Sequence, residues 1–411
     1  MERAGRRGAL GLGGALVGAL VVVFPLGPRF ALPVGNIYLG TMLTLAWLAG
    51  WFILVFAGPG GGLSLATAPQ KAVFLYALFL VVQVVAHLGS LLENPSMLLR
   101  AVQLVAYMGL FVTISSMRPS ARLPRLAMRL SFLALAAECA IAWIPSTQGP
   151  RGEHIGTFDY EHNSFGAFLL LTLCLLVGVF VAGPPRRWRV WTVILTAAAL
   201  VALAFSLSRT VYIAFPVALL ALVHRRWKLR GLLVAGLTSA AIAGLAASVL
   251  PLGVVERAST IVGIATGEHR DISFTTRLVL WGNALDDLAR TGFLGVGIYH
   301  YMTLDSYFIR ALVETGPLGL LLYLWVLVAV LAWLWRAYDR ETDPELRALA
   351  IGLYGATVGL LIVMNLSMDT LLLHRVMGVY WVLLGALVAS RRSPGASPRS
   401  TDGAAPAGVS G

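Results

Sequence analysis

The segment LDSYFIRALVETGPLGLLLYLWVLVAVLAWLW, residues 304–335, carries polar residues directly into an apolar run that is long enough to cross a membrane. Its first half contains Asp305, Arg310 and Glu314, followed by a rigid Gly-Pro-Leu-Gly corner at residues 316–319. A few leucines would insert into a bilayer at a lower free-energy cost than these charged residues do. We therefore expect this segment to do more than anchor the chain.

The composition of the whole chain predicts a membrane protein. Of its 411 residues, 58% are hydrophobic and 12% are charged, whereas a soluble protein carries about 25% charged residues. Apolar runs of about 18–25 residues recur along the chain, and each can cross a hydrocarbon core of about 30 Å. We predict an all-α polytopic membrane protein with about twelve spans, near residues 8–26, 33–56, 72–92, 98–117, 127–145, 163–183, 190–207, 209–223, 231–252, 316–335, 348–366 and 374–390.

The distribution of basic residues predicts the orientation. With a cytoplasmic N-terminus and C-terminus, 21 of the 31 Lys and Arg residues fall on inner segments, in agreement with the positive-inside rule. Two polar regions then face outward, residues 145–162 and a long periplasmic loop at 253–315 between the ninth and tenth spans. Residues 1–392 form the predicted transmembrane domain, and the tail 393–411 has the Ser/Pro/Gly/Ala-rich composition of a disordered cytoplasmic segment. Because the net charge of +12 is spread over short loops, it indicates topology and no nucleic-acid partner.

Part of the long outer loop, residues 276–291, has the pattern of an amphipathic helix. Leu278, Trp281, Leu285 and Leu288 recur at spacings of three and four, which places them on one helical face. Such a helix can lie at the membrane surface, cover a cavity, or pack as an ordinary loop helix on the ends of the spans.

Two arginines are the strongest candidates for binding an anion. Arg209 falls between the seventh and eighth predicted spans with hardly any loop around it, and Arg277 is at the start of the amphipathic helix. The planar guanidinium group of arginine binds phosphate oxygens well. The alternative is that Arg209 is a snorkelling or ion-paired structural residue and that Arg277 is simply solvated.

Asp305, just before the tenth predicted span, has two interpretations. Aspartate is a favoured helix N-cap, and a carboxylate at the membrane edge can also act as a general base. His300 and His162 are alternative bases. Asp286 and Asp287 point about 100° apart on a helix and make a poor metal clamp, so we expect no metal and no other cofactor.

Four motifs follow one another between residues 156 and 324. They are GTFDYEHNSFGAFLLLTLCL (156–175), SLSRTVYIAF (206–215), TRLVLWGNALDDLARTGFLGVG (276–297) and LDSYFIRALVETGPLGLLLYL (304–324). In identity and order they resemble the motifs of the O-antigen polymerase and O-antigen ligase superfamily. The resemblance implies a metal-independent glycosyltransferase with a GT-C-like helical fold in the bacterial inner membrane.

Such an enzyme takes a glycan from an undecaprenyl-pyrophosphate carrier and joins it to an acceptor hydroxyl on the periplasmic side. The carrier-linked donor, the glycan acceptor and membrane lipids are then its partners, with a separate chain-length regulator as a further candidate. The ligase branch has a His followed by Asn, Ser or Gln, nine residues, a Gly, two residues and a small residue. Ser306, Gly316 and Gly319 fit this frame, but Asp305 stands at the place of the His, which favours the polymerase branch over the ligase.

The residues and the resemblance together predict a site at the outer face. Arg209 and Arg277 are assigned to the pyrophosphate, and Asp305 to the base or acceptor-orienting role. The lesser, substrate-binding candidates are His162, Asn163, Arg270, His300, Tyr307, Arg310 and Glu314.

Two other classes of protein share the membrane pattern, a flippase for lipid-linked oligosaccharides and a structural scaffold. A flippase would carry charged residues through several span interiors. Here they gather near the outer face, and the main exception, Glu138, can be a buried polar contact.

Overall fold

The protein is a bundle of helices, seen here in a computed structural model. The structure describes residues 12–27, 29–32, 35–57, 62–117, 120–144, 155–158, 162–183, 186–224, 272–291, 294–298, 300–301, 304–366 and 374–391. The ninth predicted span at 231–252, the first part of the long outer loop and the tail 393–411 lie outside the described residues.

The described helices follow the predicted spans closely. They are α1 (Leu12–Leu26), α2 (Leu39–Ala57), α3 (Ala68–Ala86), α4 (Leu88–Glu93), α5 (Pro95–Ser115), α6 (Arg122–Ile141), α7 (His162–Ala182), α8 (Arg186–Phe205), α9 (Arg209–His224), α10 (Ile272–Thr291), α11 (Tyr307–Arg340), α12 (Pro344–Leu366) and α13 (His374–Ser390). An antiparallel hairpin of strands β1 (Arg29–Leu32) and β2 (Gly35–Tyr38) connects α1 to α2, with Arg29 opposite Tyr38. The all-α class is confirmed apart from this hairpin, and the count of twelve spans stays a prediction.

Several helices have the character of membrane spans. Within the described ranges, five helices are long and apolar enough to cross a membrane, by length and composition alone: α3, α5, α7, α11 and α12. Large apolar side chains such as Trp191, Leu321 and Val328 are exposed on the outside of the bundle. An apolar outer surface of this kind is expected where helices face lipid. These features indicate a polytopic membrane protein.

Helix α7 forms the centre of the bundle, and α12 packs along it. Most side chains of α7 are buried. Gly178 faces the backbone of Gly352, so that the two helices approach closely, and Gly359 faces Leu170. Because the residue numbers rise along one helix as they fall along the other, α7 and α12 are antiparallel. The start of α7 and the end of α12 therefore share one end of the bundle, which we call the outer end.

Ion pairs hold together the opposite, inner end of the bundle. The side chain of Arg125 on α6 pairs with Asp343, just before α12. At the end of α13, the Nη2 atom of Arg391 lies 2.9 Å from the Oε2 atom of Glu341. The connection between α11 and α12 is thereby fixed to two other helices.

Helix α11 is broken at Gly316 and folds back on itself. Gly316 has a φ of 72° and a ψ of 179°, a backbone conformation that glycine adopts readily and other residues rarely. The break separates a short arm (307–315) from a long arm (317–340). The rings of Tyr307 and Tyr323 lie 4.6 Å apart, although the same stretch of straight helix would separate them by about 24 Å. The two arms thus form a helical hairpin.

The predicted start of the tenth span at residue 316 agrees with the break at Gly316, after which the long arm begins. The short arm, which begins at Tyr307, lies within the segment that was expected to belong to the long outer loop. The charged residues of the short arm misled the prediction, because hydropathy alone cannot distinguish a loop from a polar helix that packs against its own continuation.

The break in α11 frees two backbone carbonyl groups, and the loop before the helix pairs with them. Pro317 has no N–H group to donate to Val313, which lies four residues earlier. Instead, the N–H of Val296 donates to the carbonyl of Val313 at 2.9 Å, and the N–H of Gly297 donates to the carbonyl of Glu314 at 3.0 Å. These two bonds fix the loop at 294–298 to the hairpin.

A buried polar network joins three other elements at the outer end. The carboxylate of Glu138 on α6 is fully buried and accepts hydrogen bonds from the hydroxyl of Thr157 and, at 3.0 Å, from its backbone N–H. Arg375 on α13 donates to the carbonyl of Thr157 at 2.5 Å and to that of Gly27, after α1, at 3.3 Å. Glu138 is thus a buried polar contact that ties α1, α6 and α13 together.

The contact between the loop and the hairpin depends on Gly295. This residue has a φ of 74°, and a Cβ added to it would lie 2.6 Å from backbone atoms of Glu314 and Gly316. We expect Gly295→Ala to lower the free energy of unfolding by more than about 2 kcal/mol, from backbone strain and the clash together. Thermal unfolding in detergent would measure this.

The matched control is Gly282→Ala. A Cβ at Gly282 meets nothing within 4 Å, and alanine in a helix is more stable than glycine by about 0.5–1 kcal/mol. Equal unfolding temperatures for the two variants would contradict the close packing at Gly295.

Thr157 tests the buried network. Thr157→Val removes the hydroxyl that donates to Glu138 and lies 2.7 Å from the carbonyl oxygen of Pro25. The buried carboxylate then lacks a donor, and we expect a loss of about 1–3 kcal/mol in unfolding free energy. Thr196→Val is the control, since that hydroxyl donates to Thr192 in its own helix, and little change is expected. If both variants unfold at the wild-type temperature, the network does not stabilise the fold.

Candidate active site

The outer end of the bundle brings together residues from separate helices. His162 and Asn163 begin α7, and Arg209, which is partly buried, begins α9. The hydroxyl of Ser208 donates to the Oδ1 atom of Asn163 at 2.8 Å, so the first turns of α7 and α9 are adjacent. Arg270 lies outside the described residues.

Arg277 and Asp305, which were assigned different roles from the sequence, are in direct contact. The Nε atom of Arg277 lies 2.8 Å from the Oδ2 atom of Asp305. Their side chains are 23% and 30% exposed, so both can be reached from solvent. The site therefore presents a cationic hydrogen-bond donor and a carboxylate side by side.

The position of Arg277 is set by the packing of α10. Ala284 is fully buried, and Trp281 and Leu288 pack with it against Leu304 and Val313. Arg277 precedes Trp281 by four residues and so lies on the same helical face. This face turns the guanidinium group toward the loop that carries Asp305.

The predicted amphipathic helix lies within α10, and its apolar stripe is only partly buried. Trp281 and Leu288 pack inward, whereas Leu278 and Leu285 are 48% and 41% exposed. The helix is rotated about its axis so that its inner face includes Arg277. The partner of Arg277 is Asp305, in the loop that precedes the hairpin. An unpaired charge on the inner face would cost free energy, and the ion pair with Asp305 removes this cost.

The structure tests the capping interpretation of Asp305. The N-cap of α11 is Ser306, whose hydroxyl accepts a hydrogen bond from the N–H of Ile309. The N–H of Phe308 donates to the Oδ1 atom of Asn365 on α12 at 2.9 Å. The capping interpretation of Asp305 is therefore wrong, and its carboxylate is available to Arg277.

Sequence reasoning does not identify Asn365. It is one residue from the end of a predicted span, and a single amide at such a place forms no pattern with its neighbours. The contact with the first turn of α11 exists because α12 ends beside that turn. A polar residue near the end of a span is a weak signal of this kind of contact.

The spacing of Ser306, Gly316 and Gly319, which fits the motif of the ligase branch, has a structural explanation. Ser306 caps the short arm, and Gly316 makes the break that ends it. Gly319 lies in the first turn of the long arm at a crowded point, where an added Cβ would clash with the side chain of Thr315 and lie 3.0 Å from the ring of Phe79. The spacing of these three residues thus encodes a capped helix of fixed length followed by a tight reversal.

Arg310 and Glu314, predicted to bind substrate, are buried within the hairpin. Their side chains are 3% and 4% exposed, and the Nε atom of Arg310 lies 3.4 Å from the Oε1 atom of Glu314. Both side chains contact Tyr301. Arg310 donates to its carbonyl group, and Glu314 accepts from its N–H at 3.1 Å.

His300 and Tyr307 point in different directions. His300 is exposed, and its ring lies 5.0 Å from that of Tyr301. Tyr307 is buried, and its hydroxyl forms a hydrogen bond of 2.9 Å with the hydroxyl of Tyr76 on α3. It lines a cavity of about 50 Å³ inside the bundle, together with Tyr323 and Tyr380. Of the two, His300 is placed to meet a ligand outside the bundle.

Arg277 and Asp305 are therefore the candidate reactive groups of the site. A guanidinium group binds an anion through several hydrogen bonds, and a carboxylate can accept a proton from a hydroxyl group. Within the part of the chain that the structure describes, no group of three or more His, Cys, Asp or Glu side chains is arranged to hold a metal ion.

The helices and the charged site at one end define the chain as a polytopic membrane protein with a solvent-accessible polar site. Residues 194–324, about a third of the chain, match the family model described as O-antigen ligase. This segment includes Arg209, Arg277 and Asp305, and the match confirms the resemblance to the O-antigen polymerase and ligase superfamily. It supports a glycosyl-transfer enzyme of that general type. No curated protein shows significant sequence similarity to the chain.

The two ion pairs of this region should differ in their effect on stability. Arg277→Ala removes one partner of a partly exposed pair, for which we expect a loss below about 1 kcal/mol in unfolding free energy. Arg310→Ala leaves the carboxylate of Glu314 buried without its cation, for which we expect a loss of about 3–5 kcal/mol. Chemical unfolding in mixed micelles would compare the two variants. If Arg277→Ala lost more unfolding free energy than Arg310→Ala, the depth of burial would not determine how much each ion pair contributes to stability.

Proposed function

We propose that this chain is a polymerase that joins undecaprenyl-pyrophosphate-linked oligosaccharide units, of O-antigen or a related surface polysaccharide. The reaction is a metal-independent, inverting glycosyl transfer on the periplasmic face of the bacterial inner membrane, with both termini of the chain in the cytoplasm. The observation that carries the proposal is the contact of Arg277 with Asp305 at the outer end, within the segment that matches the family model.

The role proposed for the two arginines is to stabilise the leaving group. The bond that breaks joins the anomeric carbon of the donor sugar to a pyrophosphate oxygen, so negative charge grows on the pyrophosphate. Arg277 and Arg209 donate hydrogen bonds to it and stabilise that charge in place of a metal. Loss of one preorganised donor of this kind typically raises the barrier by about 2.7–4 kcal/mol.

Asp305 acts on the acceptor. In the described structure its carboxylate is held by Arg277. When pyrophosphate oxygens take over the N–H groups of Arg277, the carboxylate is released to accept the proton of the acceptor hydroxyl. The hydroxyl oxygen then forms the new bond to the anomeric carbon from the face opposite the pyrophosphate, which inverts the configuration of that carbon. Lipid pyrophosphate leaves with the electron pair of the broken bond.

The remaining outer-end residues fit contacts with the glycan. His162 and Asn163 lie at the start of α7, beside the first turn of α9, and His300 is exposed next to the loop that carries Asp305. Arg270 is a further candidate on sequence grounds. The lipid part of the donor would lie among the surrounding membrane lipids, and a chain-length regulator would act as a separate partner.

The ligase is the second candidate. It is favoured by the description of the matching family and by the frame of Ser306, Gly316 and Gly319, and it differs in the acceptor, which would be lipid A-core. Asp305 at the place of the ligase histidine favours the polymerase. A flippase is the third candidate, and it would move the lipid-linked glycan without forming a glycosidic bond.

The test is transfer of a lipid-pyrophosphate-linked repeat unit by the purified protein with EDTA present. The wild type should give a ladder of products. Arg209→Ala, Arg277→Ala and Asp305→Ala should each lower the rate by about 100- to 1,000-fold. The exchanged variant Arg277→Asp/Asp305→Arg retains an ion pair but reverses the charges, so it should also be inactive.

The control is Arg189→Ala, which removes an exposed arginine from the inner half of α8 and should leave the ladder unchanged. Transfer by the exchanged variant would mean that the pair is only structural. A single shifted product that requires lipid A-core would identify a ligase. Folded protein without transfer to either acceptor would favour a flippase.

A further inference from the structure

Tyr301 is held at three points, although it lies in a loop. Its N–H donates to the Oε1 atom of Glu314 at 3.1 Å, and its carbonyl accepts a hydrogen bond from the guanidinium group of Arg310. Its hydroxyl donates to the carboxylate of Asp287 on α10. Both the backbone and the side chain of this residue are thus fixed by charged groups.

The charged groups that hold the backbone of Tyr301 are unusually deeply buried. Arg310 and Glu314 are 3% and 4% exposed and belong to the short arm of the hairpin. A buried ion pair is a weak source of stability, since removing both charges from water offsets much of their attraction. Apolar residues of similar volume would often serve the core equally well. The pair is better explained by what it orients than by the stability it adds.

Tyr301 is four residues before Asp305, and Leu304, directly before Asp305, is also held in place. Leu304 is 1% exposed and packs against Ala284 of α10 and Val313 of the short arm. The loop is therefore fixed on both sides of a short stretch, by charged groups at Tyr301 and by apolar packing at Leu304. The backbone position of Asp305 follows from these two points.

Helix α10 is attached to the same loop at two polar contacts. Arg277 meets Asp305, and Asp287, ten residues later on the same helix, meets Tyr301. The apolar cluster around Ala284 lies between these contacts. The register of α10 on the loop, and with it the place of Arg277, depends on where Tyr301 is held.

We infer that Arg310 and Glu314 are positioning residues, which fix Tyr301 and through it set Asp305 against Arg277. The inference rests on the proposed function, because it assigns the buried pair a role in the same transfer reaction. The pair does not touch the reacting groups. It determines where the carboxylate and the guanidinium lie when the donor arrives.

The test replaces the pair by apolar residues in the double variant Arg310→Met/Glu314→Leu. The fold should be retained, with an unfolding temperature equal to or above that of the wild type. The kcat of transfer should fall about 10- to 100-fold, because a displacement of about 1 Å at a reacting group has an effect of this size. The KM for the donor should change less than kcat does, since both arginines are still present and Arg209 lies on a different helix, α9.

A second readout follows the loop itself. His300 is exposed beside Tyr301, and both cysteines of the chain, Cys139 and Cys174, are buried. A spin label on His300→Cys should therefore report the mobility of the loop by electron paramagnetic resonance. We expect a restricted spectrum with the ion pair present and a mobile spectrum in the double variant.

The control is the equivalent replacement at the inner end, Arg391→Met/Glu341→Leu. This pair has a separation of 2.9 Å and also ties a connection to a helix, but it is far from the outer end. Transfer and the spectrum of the label should both be unchanged.

Should the first double variant fail to fold, Arg310→Lys replaces it, since this variant keeps a positive charge beside Glu314 but removes the guanidinium group that donates to the carbonyl of Tyr301. Its kcat should fall about 3- to 10-fold, and a folded variant with unchanged transfer would overturn the role of Arg310 in holding Tyr301.

The outcomes separate this inference from the proposed function. A folded double variant with wild-type kcat, or with a label as restricted as before, would overturn the positioning role. Failure of the wild type itself to transfer would refute the proposed function, and the spectrum of the label would then still decide whether the pair holds the loop.

Discussion

The backbone hydrogen bonds from Val296 and Gly297 to Val313 and Glu314 are the interaction on which the outer end depends. A proline one residue after the break removes a donor from the helix, and the preceding loop supplies donors in its place. The same two bonds satisfy the hairpin and fix the loop. The reversal of α11 and the position of the loop therefore depend on each other. Without the loop, the carbonyl groups of Val313 and Glu314 would lack these donors, and without the reversal, the N–H groups of Val296 and Gly297 would lack these acceptors.

Burial divides the charged residues of this region into two kinds. Arg310 and Glu314 are enclosed by the hairpin and contact the loop, whereas Arg277 and Asp305 are partly exposed and contact each other. Partly exposed groups can exchange one partner for a ligand at a small cost, while enclosed groups cannot. The sequence analysis placed Arg277 and Asp305 above Arg310 and Glu314 as candidates, and the two pairs differ in the same order in their depth in the protein.

The candidate site could be predicted in part from the sequence. Arg209, Arg277 and Asp305 were chosen for their charge near the membrane edge, and the structure brings Arg277 and Asp305 into contact. Their contact itself could not be predicted, because it depends on the rotation of α10, and the apolar spacing indicated a different inner face. Asn365 and Tyr301 were missed for a related reason, since each acts through a partner that is distant in sequence.

By itself, the sequence determined the class of protein, the places of most of the described helices and the place of the break in α11, because hydropathy, glycine and proline act locally on the backbone. It also identified charged residues that the structure places at the outer end. Only the tertiary structure decided that residues 307–315 form a helix folded against its own continuation and which charges are buried. It alone decided that Ser306, and not Asp305, caps that helix. These choices depend on contacts between distant segments, and the free energy of such contacts is set by the packing of the whole outer end.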